Sequence, residues 1–180
     1  GSSFFTNIVS DQNTGSFINV ADYDNNLDIL FSAKGTSDIW RFNGITGSIN
    51  QSSVSISGMQ TMASAMYVSP HTTSSTTLFV GCEDGSLFKV TNANGASSST
   101  NITGSGFPNG SISCIDLGAT ENEIIVTFFN YGVSSVWYSA DGGTTWSNKE
   151  GNLPDMPVRW AMFNPTNYDE VILATEVGIW

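Results

Sequence analysis

The feature that most constrains this chain is an internal repeat. Four segments follow one plan: FINVADYDNNLDILFSAKGTSDIWRF, MASAMYVSPHTTSSTTLFVGCEDGSLFKV, SISCIDLGATENEIIVTFFNYGVSSVWYS and VRWAMFNPTNYDEVILATEVGIW. Each runs from an alternating strand through a polar turn to a β-rich strand, then through a Gly-containing turn to a short strand with an aliphatic–aromatic pair. The turn positions Asp22, Ser69, Asp116 and Asn164 recur at about 47 residues, and the aromatics Trp40, Phe88, Trp137 and Trp180 keep the same step. The repeats span approximately 11–58, 59–104, 105–151 and 152–180.

Within each repeat the period is that of strands. ILFSA, TLFVG, EIIVTFF and EVILAT are short apolar runs, rich in branched and aromatic residues and bounded by Asn, Asp, Gly and Pro, as buried strands are. No segment sustains a 3.6-residue period over a dozen positions, so the fold class is all-β. One four-stranded sheet cannot bury both of its faces, whereas sheets stacked radially bury them against their neighbours, and the repeat length falls in the range of propeller blades. The expectation is a β-propeller segment of about four blade-like antiparallel repeats. Innermost strands are placed near 16–22, 62–69, 110–117 and 157–164, and second strands near 28–33, 76–82, 122–130 and 169–175. Third strands fall near 37–42, 86–91, 134–139 and 177–180, with outer strands near 49–57, 99–103 and 145–149. Residues 3–10, SFFTNIVS, read as an outer strand, either closing the last blade into a four-bladed ring or belonging to a preceding blade of a larger propeller. The second arrangement is the expectation, because a sheet ending at its third strand leaves an unpaired edge.

Composition narrows the partners. A net charge of −11 with only five basic residues, Lys34, Arg41, Lys89, Lys149 and Arg159, scattered along the chain, opposes phosphate backbones and anionic lipid. Nucleic acid and membrane insertion are therefore not expected, and no apolar run reaches the roughly 20 residues that span a bilayer. Acidity, few lysines and abundant Ser, Thr and Asn suit a secreted or cell-surface protein. Cys82 and Cys114 permit one disulfide or two free thiols, and neither sits in a C-x-x-C arrangement that would suggest zinc.

The stretch SADGGTTW, Ser139 to Trp146, fits S/T-x-D-x-G-x-x-W and falls between the third and fourth strands of the third repeat. Asp141 can accept hydrogen bonds from its own turn, Gly142 and Gly143 permit positive φ, and Trp146 can lay its ring between blades. The hairpin formed by Ser139, Asp141, Gly143 and Trp146 thus reads as structural. Aligned by the period, Ile45 and Ala93 stand where Asp141 stands.

At these residues the chain resembles the Asp-box (BNR-like) propeller proteins, a group that includes bacterial sialidases, xyloglucan-hydrolysing glycosidases and sortilin-type receptors. The following stretch GNLPDMPVRWAMFNPTNYDEVILATEVGIW looks like the linker and next blade of the glycosidase and sortilin branch, including secreted multi-blade proteins of Bacteroidetes-type bacteria. The strong resemblance covers roughly residues 110–180, and it specifies a blade better than an activity. Sialidases of this architecture hold the substrate carboxylate with three arginines, whereas this chain has Arg41 and Arg159 alone. Glycoside hydrolysis of the xyloglucan or β-glucan type is the alternative that the resemblance implies. It needs two carboxyl groups facing each other across a cleft, and Asp22, Asp24, Asp28, Glu83, Asp84, Asp116, Asp155 and Glu176 cannot be paired from sequence.

The preferred reading is a noncatalytic secreted module that binds a polysaccharide or another extracellular macromolecule, or serves as structure. A partner chain or further blades would complete the ring, and a tunnel capturing a peptide in the sortilin manner is a third class. Trp160, Phe128, Phe129, Tyr131 and Tyr168 break the repeat pattern and are the candidates for stacking on sugar faces. Asp22, Asp24 and Asp28, with Asn26, superficially suit calcium, yet the period equates them with an ordinary turn and the Gly and terminal Glu of a calcium loop do not follow. His71, in the corresponding turn of the second repeat, reads as a solvent-exposed loop residue. No sequence motif calls for a cofactor.

Overall fold

The structure is a computed structural model and describes residues 14–180; the stretch 3–10 lies outside the described residues. Among the described residues fifteen strands form four antiparallel sheets, each built from consecutive strands. The first holds β1 (Ala21–Asp24), β2 (Ile29–Ala33), β3 (Asp38–Asn43) and β4 (Asn50–Ser55). The second holds β5 (Ala63–Val68), β6 (Leu78–Cys82), β7 (Leu87–Thr91) and β8 (Ser98–Asn101). β9 (Ile112–Leu117), β10 (Ile124–Phe128), β11 (Val136–Ser139) and β12 (Ser147–Asn148) make the third. β13 (Val158–Asn164), β14 (Asn167–Thr175) and β15 (Gly178–Ile179) make the fourth, three-stranded sheet.

The strands fall close to where the alternating runs place them, except that the first innermost strand is Ala21–Asp24 rather than 16–22. Register also explains the repeated aromatics. Trp40 pairs with Ser32, Phe88 with Val80, Trp137 with Val126, and Trp180 exchanges backbone hydrogen bonds with Leu173. All four therefore oppose the middle of a second strand, which is why their spacing survives loops of unequal length.

Successive innermost strands lie side by side, β1 against β5, β5 against β9, and β9 against β13. Because side chains alternate along a strand, each middle sheet gives one face to the sheet before it and the other to the sheet after it. In the second sheet Leu78, Val80, Phe88 and Val90 join Ile29, Phe31 and Ile39 of the first in one core. The opposite face, Ala65, Phe79 and Leu87, joins Ile115, Val126 and Phe128 of the third in another. A smaller core between the third and fourth sheets holds Ile125, Val136, Val158, Ala161 and Phe163. Two-sided coverage accounts for β6 and β10 being buried at every position.

Polar bridges repeat with the sheets. The Val68 amide donates to the Asp22 carboxylate at 2.6 Å, and the Phe163 amide to Asp116 at 2.8 Å. The Ser64 hydroxyl donates to the Ile112 carbonyl at 2.8 Å, and Ser113 to Val158 at 2.5 Å. Burial of Asp22 raises its pKa, although the Val68 and Tyr23 amides pull the other way. Sheet spacing at the second and third sheets depends on Gly81, where an added Cβ would lie 2.6 Å from Ile112 Cγ2.

Both cysteines are free and buried, so the bridge left open by the sequence is not formed. Cys82 belongs to the core between the first two sheets, while Cys114 directs its thiol to the Ala161 carbonyl of the fourth sheet at 3.3 Å. Burial pushes both thiols up to about 12, which leaves them protonated at neutral pH.

Candidate functional site

The SADGGTTW hairpin closes on itself. The Ser139 hydroxyl donates to Asp141 at 2.8 Å and accepts from the Gly143 amide at 2.9 Å. Thr145 donates to the two oxygens of Asp141 through its amide at 2.8 Å and its hydroxyl at 2.6 Å. These donors, Thr145 foremost and then Ser139, hold the Asp141 carboxyl below the usual carboxylate range. Gly142 and Gly143 have φ of 71° and 91°, and Trp146 reaches across to the second sheet, its indole N–H donating to the Ile102 carbonyl at 2.9 Å. Every polar atom named here is spent on the hairpin or on the neighbouring sheet.

A groove of about 450 Å³ opens where the innermost strands end, across the second, third and fourth sheets. Its aromatic and acidic lining includes Tyr67, His71, Asp116, Trp160 and Tyr168. A bulge between Val158 and Trp160 resets the alternation of β13. Ala161 and Phe163 consequently turn into the core while Trp160 and Met162 turn outward, leaving Trp160 57% exposed, and Tyr168 of β14 is 42% exposed. The groove wall is fixed from behind. Asp116 accepts the Phe163 amide, and burial followed by the nearby Asp116 carboxylate pushes the Tyr67 hydroxyl well above its ordinary range. His71 is exposed, as its loop position implies, but its Nε2 also meets the Gly118 carbonyl at 3.0 Å and ties the second sheet's turn to the third's.

The five proposed stacking residues therefore divide. Trp160 and Tyr168 share the groove. Phe129 and Tyr131 follow β10 at the other end of the sheets, where Arg159 lies 4.3 Å from the Phe129 ring centroid. Glu176 there accepts the Tyr131 hydroxyl and the Arg159 guanidinium, the latter at 2.6 Å. Phe128 is a correction, being fully buried. It alternates with Ile124 and Val126 on the face of β10 that enters the seam between the second and third sheets, opposite Ile112.

The three acids that superficially suit calcium belong to separate turns and bridges. Asp22 serves Val68, whereas Asp24 caps the Asn26 and Leu27 amides at 2.9 and 3.0 Å and accepts the Thr76 hydroxyl at 2.5 Å. Asp28 accepts the Tyr23 hydroxyl at 2.6 Å and the Thr46 hydroxyl at 2.7 Å. The three carboxylates answer to three different sets of donors, and among the described residues no group of three or more His, Cys, Asp or Glu side chains is disposed to hold a metal.

A second cavity, of about 410 Å³, runs along the innermost strands of all four sheets and is lined by Asp22, Ser64, Tyr67, Ser113, Cys114 and Trp160 among others. A third, also about 410 Å³, lies between the third and fourth sheets, where Glu123 and Asp169 stand near Tyr138. Sequence reading missed Tyr67, Glu123 and Asp169. The first looks like an ordinary strand residue, and the two acids lie in different repeats. No helix among the described residues is long and apolar enough to cross a membrane.

No protein-family model matches this chain, and no curated protein matches it in sequence. Among solved structures it is similar to the GH74 xyloglucanase from Xanthomonas campestris, with a TM-score of 0.57 and 17% identity. The likeness covers 82% of this chain and 25% of that one, so this chain spans about a quarter of the xyloglucanase's length. Similarity at this level concerns the fold, and it supports a propeller-type stacking of the four sheets.

Proposed function

We propose that this chain is a segment of an extracellular β-propeller and that it binds neutral glycans, without hydrolysing them, through the groove at the ends of its innermost strands. The observation that carries the reading is the pairing of Trp160 and Tyr168, two half-exposed rings on one concave surface of about 450 Å³. Flat apolar rings with a few polar groups beside them suit the faces of pyranose rings, which combine C–H surface with hydroxyls. No lysine or arginine lines the groove, and the chain's net charge of −11 opposes anionic polysaccharides.

The noncatalytic part rests on Asp116. It is the groove's lining carboxylate, and one of its oxygens is taken up by the Phe163 amide. Glycoside hydrolysis uses two carboxyl groups, one of them free to exchange a proton with the glycosidic oxygen. The further architecture, with more sheets or a partner chain completing a ring and the SADGGTTW hairpin as an Asp-box, belongs to the same reading.

Calorimetric titration with neutral oligosaccharides from several plant and bacterial polysaccharides tests it. Binding in the micromolar to millimolar range is expected, with Trp160→Ala weakening it about tenfold, or 1.4 kcal/mol, and with uronic-acid oligomers silent. Silence across the neutral panel would leave a structural role. Release of reducing ends from β-glucans, abolished by one carboxylate-to-amide change, would replace the proposal with hydrolysis.

A further inference from the structure

The cleft between the third and fourth sheets has a chemistry that the glycan groove lacks. Its floor is apolar, formed by Ile125, Val136, Val171 and Leu173, and Tyr138 and Phe163 wall it at a ring separation of 6.3 Å. Glu123 and Asp169 stand at its polar side. Glu123 Oε2 is shielded from water and has no hydrogen-bond partner, and a buried acceptor without a donor is costly to leave unmade. Burial and then the charges of Glu123 and Asp169 raise the Tyr138 hydroxyl pKa, so both carboxylates are felt at one ring. Lys149, which also lines the cleft, sets its ammonium 5.7 Å from the Tyr138 ring centroid. The chain's own cation thus already marks the ring face as a place for positive charge.

We propose that this cleft binds a small organic ammonium ion with an apolar stem. The ammonium faces Glu123 and Asp169, whose negative charges it offsets. The stem lies over Tyr138 and against Val171 and Leu173. Lys149 competes for the same ring face.

The test titrates the whole chain with benzylamine, protonated at neutral pH, and with benzyl alcohol, its neutral counterpart of the same shape. Binding is followed through the methyl resonances of Val136, Val171 and Leu173. Benzylamine is expected to bind about tenfold or more tighter than the alcohol, a difference of 1.4 kcal/mol or more. Glu123→Gln should erase most of that preference, and Lys149→Met should tighten benzylamine several-fold by removing the competitor. A purely apolar cleft would show the first two ligands binding alike and neither substitution changing their ratio, and that result overturns the proposal. So would benzylamine shifts confined to residues outside the cleft. Asp169→Asn serves in place of Glu123→Gln if the latter disturbs folding, with the same loss of preference expected and an unchanged preference equally fatal.

Discussion

The seam between the second and third sheets and the seam between the third and fourth are built from equivalent strands, yet one is filled and the other is open. In the first, Phe107 enters from the linker between β8 and β9. Its ring lies 4.8 Å from Trp146, 5.3 Å from Phe128 and 5.4 Å from Trp137. In the second, the corresponding linker between β12 and β13 contributes Leu153 to the core, and a cleft of about 410 Å³ remains beside Tyr138 and Phe163. The strands set the distance between sheets. Linkers and the outer hairpin decide whether the space is closed or left for a ligand.

The largest effects should separate the seams by their contents. Phe128→Ala removes a fully buried ring from the filled seam and is expected to cost about 3–5 kcal/mol, the range for truncating a close-packed Phe. Phe163→Ala, in the open seam, should cost less, about 2–3 kcal/mol, because its ring already borders empty space and has fewer contacts to lose. Urea unfolding of the two variants measures both. Equal losses would mean that the cleft is closed in solution.

Next comes the approach of the sheets. Gly81→Ala places a methyl against Ile112 Cγ2 and Cβ at 2.6 and 2.8 Å, and overpacking of this kind costs about 1–3 kcal/mol. In an Ile112→Ala background, which lacks Cγ2, the same Gly81→Ala change should cost less, a coupling that a double-mutant cycle reads. If Gly81→Ala alone is neutral, the second and third sheets are not held as closely as the filled seam requires.

The hairpin that delivers Trp146 to the filled seam carries a pH signature. Its donors lower the Asp141 pKa in the folded state, so the stability it contributes is complete above the unfolded carboxylate value, about 3.9. That contribution is lost as pH falls through the lower folded value. Asp141→Asn lacks this titration. The difference in urea midpoint between wild type and Asp141→Asn should therefore be widest near pH 6 and shrink toward pH 2. A constant difference would show that the carboxylate's charge plays no part. Asp22 has the opposite sign: burial raises its pKa, so ionisation costs stability as pH rises through the folded value, and Asp22→Asn should lose nothing at neutral pH while its side-chain oxygen still accepts the Val68 amide.

How much of this was legible in the sequence follows from which interactions are local. The sheets were legible because pairing residues such as Trp40 and Ser32, or Trp137 and Val126, lie within one repeat and follow its alternation. Phe128 misled because both faces of β10 are covered by neighbouring sheets, so an aromatic that breaks the repeat pattern there is packed rather than displayed. The groove and the cleft were not legible as sites. Tyr67 meets Asp116, and Glu123 shares a cavity with Asp169, only after sheets from different repeats stack, and nothing in the intervening turns encodes those meetings. The acids singled out as Asp22, Asp24 and Asp28 were close in sequence but serve three separate sets of donors.

The smallest effect is the sharpest test of the comparison. Val126 is fully buried in the filled seam, and Val171 is partly buried at the edge of the cleft. Val126→Ile asks the filled seam to take one more methylene where Phe128, Trp137 and Ile115 leave no room, and about 1 kcal/mol or more should be lost. Val171→Ile adds the same group beside open space, where it gains contacts without displacing any, so its effect should lie within about 0.5 kcal/mol of zero. The same methylene should also narrow the cleft and weaken benzylamine binding while leaving the urea midpoint nearly unchanged. An unfolding loss at Val171 equal to that at Val126 would mean that both seams are packed to the same density, and the contrast between them would then have no bearing on ligand binding.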